Sequence, residues 1–217
     1  MSKVAFDVSI SLDGFLAGPN ASLEEPLGVG GGALHEWAFA TRRFREQHGL
    51  DGGEDGVDSE LVDEQLRTTG ATVMGRRMFS GGEGPWSGDP NADGWWGDDP
   101  PFHHPVFVLT HHPREPLVKK GGTTFTFVTD GIEAALAPAS EAAGNAAVAV
   151  AGGADVIQQY LGAGLVDEFQ LHVAPVLLGA GTPLFDHALD APAGVERIRV
   201  VDSPAAAHLR YRVIRAG

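Results

Sequence analysis

Apolar and polar residues alternate from the fourth position of the chain: Val4, Phe6, Val8, Ile10 and Leu12 are apolar, with Asp7, Ser9 and Ser11 among the residues between them. A period of two gives a strand with one buried face, and the Asp13-Gly14 pair then turns the chain. After a glycine-rich loop over 28–32 the pattern predicts a helix over 34–47, then an acidic, glycine-rich loop over 49–56. Asp58 suits the N-cap of a helix over 59–69 that stops at Gly70. A strand over 71–74 runs into Gly75-Arg76-Arg77 and a further helix, and strands are predicted over 106–110 and 124–128. Asp130 is expected to cap an alanine-rich helix reaching to 143. Residues 147–151 form a small continuous apolar run of the kind buried on both faces of a sheet, followed by Gly152-Gly153 and a helix over 154–161. A strand over 166–174 and an antiparallel pair over 197–201 and 208–214 complete the chain. Strands alternating with helices and ending in a hairpin predict one α/β domain, residues 1–217, with a mixed sheet.

Composition narrows the functions this domain can serve. The 217 residues are 43% hydrophobic and 20% charged, enough to bury a core without covalent staples. Cysteine is absent, which excludes disulfides, thiolate metal sites and cysteine nucleophiles. With 29 acidic against 15 basic residues the net charge is -14, a sign that repels nucleic acid and anionic membranes. The first residues lack a signal-peptide apolar core, and no run approaches the roughly 18 apolar residues of a membrane helix. A soluble, cytoplasmic protein is expected, with no nucleic acid or membrane partner.

Two stretches could carry chemistry. Gly75-Arg76-Arg77 stands between a strand and a helix, where free amides and two guanidinium groups suit a phosphate; a surface basic pair is the plainer reading. Gly152-Gly153 lets a ligand approach the backbone at the next helix N-terminus, and is equally compatible with a tight structural turn. Together they suit a dinucleotide carrying both a pyrophosphate and a ribose phosphate, which points to NADPH. The pairs His103-His104 and His111-His112 flank a strand at opposite ends and lack carboxylates at ligand spacing, so no metal is expected. The segment 80–105 is long for a connection and carries Trp86, Trp95, Trp96 and Phe102, which could stack on a flat ring or anchor the loop.

The order of these motifs resembles the dihydrofolate reductase-like superfamily, in the branch of the riboflavin-biosynthesis pyrimidine reductase domain and its stand-alone relatives. The resembling stretches are Ser11-Leu12-Asp13-Gly14-Phe15-Leu16-Ala17, Val73-Met74-Gly75-Arg76-Arg77, Val108-Leu109-Thr110, Ala151-Gly152-Gly153 and Val166-Asp167-Glu168. The run from Pro175 through Gly179-Ala180-Gly181-Thr182-Pro183-Leu184-Phe185 is the most specific. The resemblance implies a three-layer α/β/α fold with a mostly parallel mixed sheet of about eight strands and a C-terminal antiparallel hairpin. It implies NADPH across the strand ends, with Gly75, Arg76 and Arg77 on its phosphates and Leu109, Thr110 and His111 at the adenosine. The pyrophosphate falls to Gly152, Gly153, Ala154, Asp155, Val156 and Ile157, and the nicotinamide to Ser9, Leu16 and Ala17. Asp13 either touches substrate or holds its turn. With Trp86, Trp95 and Trp96 it makes up the expected substrate side.

Dihydrofolate reductases carry an acid on the helix after the first strand, for which Asp58, Asp63 and Glu64 are candidates; no proton donor is assigned. The cysteine-bearing zinc motif of the bifunctional deaminase-reductase is missing from these residues, so a reductase without the deaminase half is expected. The expectation is an NADPH-dependent reductase that transfers hydride to a small heterocycle, pterin or aminopyrimidine-like. A non-catalytic nucleotide-binding or sensing protein on the same fold is the alternative. A homodimer is expected from the resemblance and from the strands near the C-terminus, where Phe169, Leu171 and Val173 alternate with polar residues and a sheet edge or face could pair across a two-fold axis.

Overall fold

The computed structural model describes residues 2–186, 189 and 193–214. The alternating first segment is strand β1 (Val4–Ile10), and the Asp13-Gly14 turn leads to the short β2 (Phe15–Ala17). The helix expected over 34–47 is three pieces: a 3-10 turn (Gly31–His35), α1 (Glu36–Phe39) and α2 (Arg42–Gln47). The break falls at Thr41, whose backbone is extended and whose hydroxyl accepts from the Phe44 amide, restarting the helix with a cap.

The chain continues through α3 (Val57–Thr68), β3 (Thr69–Gly75), α4 (Arg76–Ser80), β4 (Pro105–Leu109), β5 (Leu117–Val118) and β6 (Thr124–Val128). Then come α5 (Ile132–Ala143), β7 (Ala147–Gly152), α6 (Ala154–Gly162), β8 (Glu168–Val173), β9 (Thr182–Pro183), β10 (Gly194–Asp202) and β11 (Ala207–Ile214). Neither acid expected before a helix caps it. Glycines 56 and 131 hold the N-caps of α3 and α5 at φ 131° and 91°, without a side-chain cap.

The main sheet has the order β10-β11-β8-β1-β7-β3-β4-β6-β5. Neighbours from β8 through β6 are parallel, while β11, β10 and β5 run antiparallel to theirs. This is the mostly parallel sheet with a C-terminal hairpin that the sequence led us to expect, one strand wider. The added strand is the two-residue β5, too short for a hydrophobic period to reveal. A second small sheet pairs β2 with β9.

The apolar residues of β1 (Val4, Phe6, Val8, Ile10) face α5 and α6, packing with Val148, Val150, Ile157, Tyr160, Phe169 and Leu171. Ala135, Ala139 and Ala143, four apart, give α5 a narrow buried stripe that lets it lie close on the sheet. On the opposite face, Met74, Phe79, Val106, Val108 and Phe125 form a second core around α4. Complete burial of each such side chain contributes roughly 1.5–3 kcal/mol. Farther along that face, Trp37, Ala38, Val62 and Ala206 form a third cluster, beside polar groups of β1, β8 and β11. Phe169 and Leu171 thus belong to the first core, and β8 is an interior strand. The surface role expected of them is overturned, and the sheet edge beyond them is β10, where Val195 and Val200 are exposed.

Candidate functional site

Strands β1, β7, β3 and β4 are parallel neighbours, so their C-terminal ends share one edge of the sheet. Open α/β sheets take ligands in the crevice beyond such ends. The two glycine turns, 77 residues apart in sequence as counted from Gly75 to Gly152, come together here. A Cβ added to Gly75 would stand 3.7 Å from Gly152 O and Gly153 N, and 3.0 Å from Val156 Cγ2. Leu109 pairs in register with Gly75, so Thr110 and His111 continue the row.

The turn after β7 is open. Gly152 has φ 131°, a conformation that side chains rarely adopt, whereas Gly153 has φ -71° and a Cβ placed on it would meet nothing within 4 Å. It leads into α6, whose N-terminus carries the positive end of the helix dipole; the amides of Val156 and Ile157 already donate to Gly153 O, at 3.1 and 3.2 Å. Asp155 lies in that first turn.

The turn after β3 is filled. Arg76 is buried and pairs with the Asp89 carboxylate, and its guanidinium lies 3.6 Å from the centre of the Trp86 ring. Asp89 also accepts from Ser80 Oγ and the Asn91 amide, both at 2.8 Å. Burial pushes the Asp89 carboxyl up, and the bonds from Arg76, Ser80 and Asn91 outweigh it to hold the group below its ordinary value. Nε and Nη1 of Arg76 are buried without a hydrogen-bond partner. Arg77 is exposed instead, 2.5 Å from Glu83 and 3.8 Å from Asp155.

The tryptophan-bearing insertion packs against this corner. Trp86 donates to His112 O at 2.7 Å and lies edge-on to Phe79 and Phe127. Arg114 stands over its ring at 4.7 Å and hydrogen-bonds Ala92 O. Trp96 meets Phe102 edge-on, and the Trp95 ring fills the space where a Cβ on Gly81 would sit.

Asp13 is exposed and accepts from the amides of Leu178 (3.1 Å) and Gly179 (2.7 Å). Its pKa is lowered, first by a hydrogen bond from Ser11 and then by these amides. The carboxylate thus ties the turn after β1 to the backbone at Leu178 and Gly179. Leu16 and Ala17 lie on β2, where Gly181 approaches so closely that a Cβ on it would stand 2.0 Å from Ala17 O. Ser9 is buried and accepts from Trp37 Nε1 at 2.8 Å.

The three candidate acids on α3 are all engaged. Asp58 meets His208 Nε2 at 2.9 Å, Asp63 pairs with Arg43 and Arg67, and Glu64 pairs with Arg199 and Arg210. Of the flanking histidines, His104 contacts Thr72 Oγ1 at 2.7 Å, and burial pushes its pKa down to about 4. His103 contacts Gly121 O, and among the described residues no group of three or more His, Asp or Glu could hold a metal ion. Sequence reasoning missed Asp7, Trp37, His172 and His208, which meet beneath α1 and α3. The available signal was the polar residue at every second position of 168–173 and 208–212, which marks a second face that something must cover.

The chain matches the family model of the RibD C-terminal domain over residues 2–202. No curated protein sequence matches it. Among solved structures, a Shewanella sp. PV-4 protein provisionally assigned to riboflavin biosynthesis is 22% identical, with a TM-score of 0.63 over 99% of this chain and 100% of that one. The Thermotoga maritima diaminohydroxyphosphoribosylaminopyrimidine deaminase/5-amino-6-(5-phosphoribosylamino)uracil reductase is 15% identical, with a TM-score of 0.58 over 98% of this chain and 57% of that one. Dihydrofolate reductase from Enterococcus faecalis, solved with NADP(H), is 15% identical, with a TM-score of 0.52 over 97% of this chain and 96% of that one. At these identities the likeness is one of fold.

Proposed function

This chain belongs to the RibD C-terminal domain family, and on that premise we propose that it is an NADPH-dependent reductase of a small heterocycle, pterin or aminopyrimidine-like. The observation that carries the reading is the meeting of the Gly152-Gly153 and Gly75-Arg76-Arg77 turns at the C-terminal ends of adjacent parallel strands. The residues present fit the cofactor: an open backbone turn at a helix N-terminus suits a pyrophosphate, and the exposed Arg77 beside it suits a ribose phosphate.

NADPH would supply the hydride. Gly152, Gly153 and the first turn of α6 (Ala154, Asp155, Val156 and Ile157) would hold the pyrophosphate. Arg77, with Arg76 beneath it, would meet the ribose phosphate. Leu109, Thr110 and His111 would border the adenosine, while Ser9, Leu16 and Ala17 would border the nicotinamide. The insertion with Trp86, Trp95 and Trp96 would wall the pocket and exclude water, and Asp13 would fix the rim. Two copies would associate as a homodimer, for which the exposed β10 edge offers a surface. A cysteine-free acidic chain suits the cytoplasm, and no described helix is long and apolar enough to cross a membrane.

The test is oxidation of NADPH scored against a panel of pterins and aminopyrimidines. Turnover with one of them supports the reading. Tight NADPH binding without turnover on any would favour the non-catalytic sensing alternative, and absence of NADPH binding would overturn both.

A further inference from the structure

Asp7, His172, His208 and Asp58 form one hydrogen-bonded chain between the sheet and α3. His172 and His208 sit opposite each other in the β8–β11 register with their Nδ1 atoms 2.6 Å apart. His172 Nε2 lies on Asp7 Oδ1, and His208 Nε2 lies 2.9 Å from Asp58 Oδ1. The two histidines are 3% and 1% exposed, while each carboxylate retains 20% side-chain exposure.

The proton count follows from this geometry. An ionised carboxylate only accepts hydrogen bonds, so each Nε2 must carry a proton. Two bare Nδ1 atoms would set lone pair against lone pair, and two protonated ones would press N–H on N–H; the contact requires one proton between them. Three protons therefore occupy four ring nitrogens, one more than two neutral imidazoles hold. We propose that these four residues form a single buried proton-binding site, loaded at neutral pH as an imidazolium on His172 with neutral His208 as its acceptor, and that its occupancy seats Trp37 on Ser9.

His172 is the ring that carries the charge because its surroundings reward it. Asp7 also accepts from Gln170 Nε2 at 3.2 Å, so each of its two oxygens has a partner. On the other side, the Trp37 indole is stacked on His172 with centroids 4.1 Å apart, a geometry in which a cation gains from the ring's negative face. Trp37 in turn donates to Ser9 Oγ. Burial, then repulsion from His172, lowers the pKa of His208 against the pull of Asp58 and Asp7. Burial and the same repulsion push His35, which precedes α1, down to about 4. One register step away on the same face, Arg210 is bound between Glu64 and Glu168, so its charge is already answered.

When rising pH removes the third proton, one link of the chain must break and Trp37 loses the cation under its ring. This inference is independent of the cofactor reading, and so is its test. The unmutated protein with 15N-labelled histidine, its ring signals assigned through bonds from the backbone, is titrated by NMR from neutral to alkaline pH. The expected result is three protons over the four ring nitrogens at pH 7, both nitrogens of His172 protonated, and a Trp37 Nε1 proton signal that shifts together with loss of the third proton. Asp7→Asn, which keeps the shape and removes the charge, should weaken proton affinity about tenfold or more, moving the midpoint down by about one pH unit or more. A merely structural asparagine-tolerant contact would leave that midpoint in place. Two protons at pH 7, a bare nitrogen on His172, an unmoved midpoint in Asp7→Asn, or a Trp37 signal indifferent to the titration would each overturn the proposal.

Discussion

Two strand-to-helix turns with the same local grammar lie side by side at one edge of the sheet and are finished in opposite ways. After β7 the turn is bare backbone, with nothing near the place a Gly153 side chain would take. After β3 the turn carries its own counter-ion, because Asp89 reaches back from the insertion to Arg76 and Trp86 lies over the guanidinium. The bare turn leaves open space beside its backbone, which the proposed function gives to an anion. At the filled turn an internal carboxylate already occupies the more buried arginine, and only Arg77 remains at the surface. A positive charge in a sequence is therefore an offer to a ligand only when the rest of the chain has not accepted it first.

The contrast breaks most visibly at the buried pair. Arg76→Ala should leave the Asp89 carboxylate buried without its partner and destabilise the protein by about 3–5 kcal/mol, read as a fall in the urea midpoint. A loss below about 1 kcal/mol would mean that the pair is not a buried ion pair in solution. At the bare turn, Gly153→Val should leave stability nearly unchanged, since the added side chain meets no protein atom. NADPH affinity should fall by about 3 kcal/mol, roughly a hundredfold, as the branched side chain blocks the charged backbone contacts. Titration calorimetry beside an unchanged melting curve checks this, and unaltered affinity would remove the turn from the proposed site.

Smaller effects sharpen the role of the exposed arginine. Arg77→Ala should weaken NADPH by about 1.5 kcal/mol, the low end for a charged hydrogen bond, and leave NADH almost untouched. Equal losses for the two cofactors in parallel fluorescence titrations would take the ribose phosphate away from Arg77. Glu83→Gln should release Arg77 from its 2.5 Å contact and tighten NADPH by about 0.5 kcal/mol. Because the pair is exposed, that gain should fade as salt is raised, and a gain insensitive to salt would count against it.

The parallel sheet, the order of its strands and helices, and both glycine turns were legible because they rest on local signals: a period of two, an apolar run, a glycine before a helix. What escaped depends on distant partners. The restart at Thr41 interrupts a stretch whose pattern reads as continuous helix. The β2–β9 pair joins residues more than 160 positions apart through segments of three and two residues. Arg76 and Arg77 are adjacent in sequence and equal in chemistry, yet Asp89 draws one inside and leaves the other out. Phe169 and Leu171 alternate with polar residues in a way that suggested one exposed face. In fact the polar members, Gln170 and His172, are buried as well, against Asp7. Alternation distinguishes two faces without saying that either is wet.

The position of β1 has a consequence for how the chain is made. Strand β1 lies between two strands that are made well after it, with Val4 opposite Val148 and Phe6 opposite Phe169. At about 5–20 residues per second it waits roughly 10–30 s for those neighbours to be synthesised. Throughout that interval Phe6, Val8 and Ile10 lack the two strands that flank them in the fold, so this nascent segment is sticky and suited to a chaperone's grip. Closure of the domain is a late, long-range event rather than a progression from one end to the other.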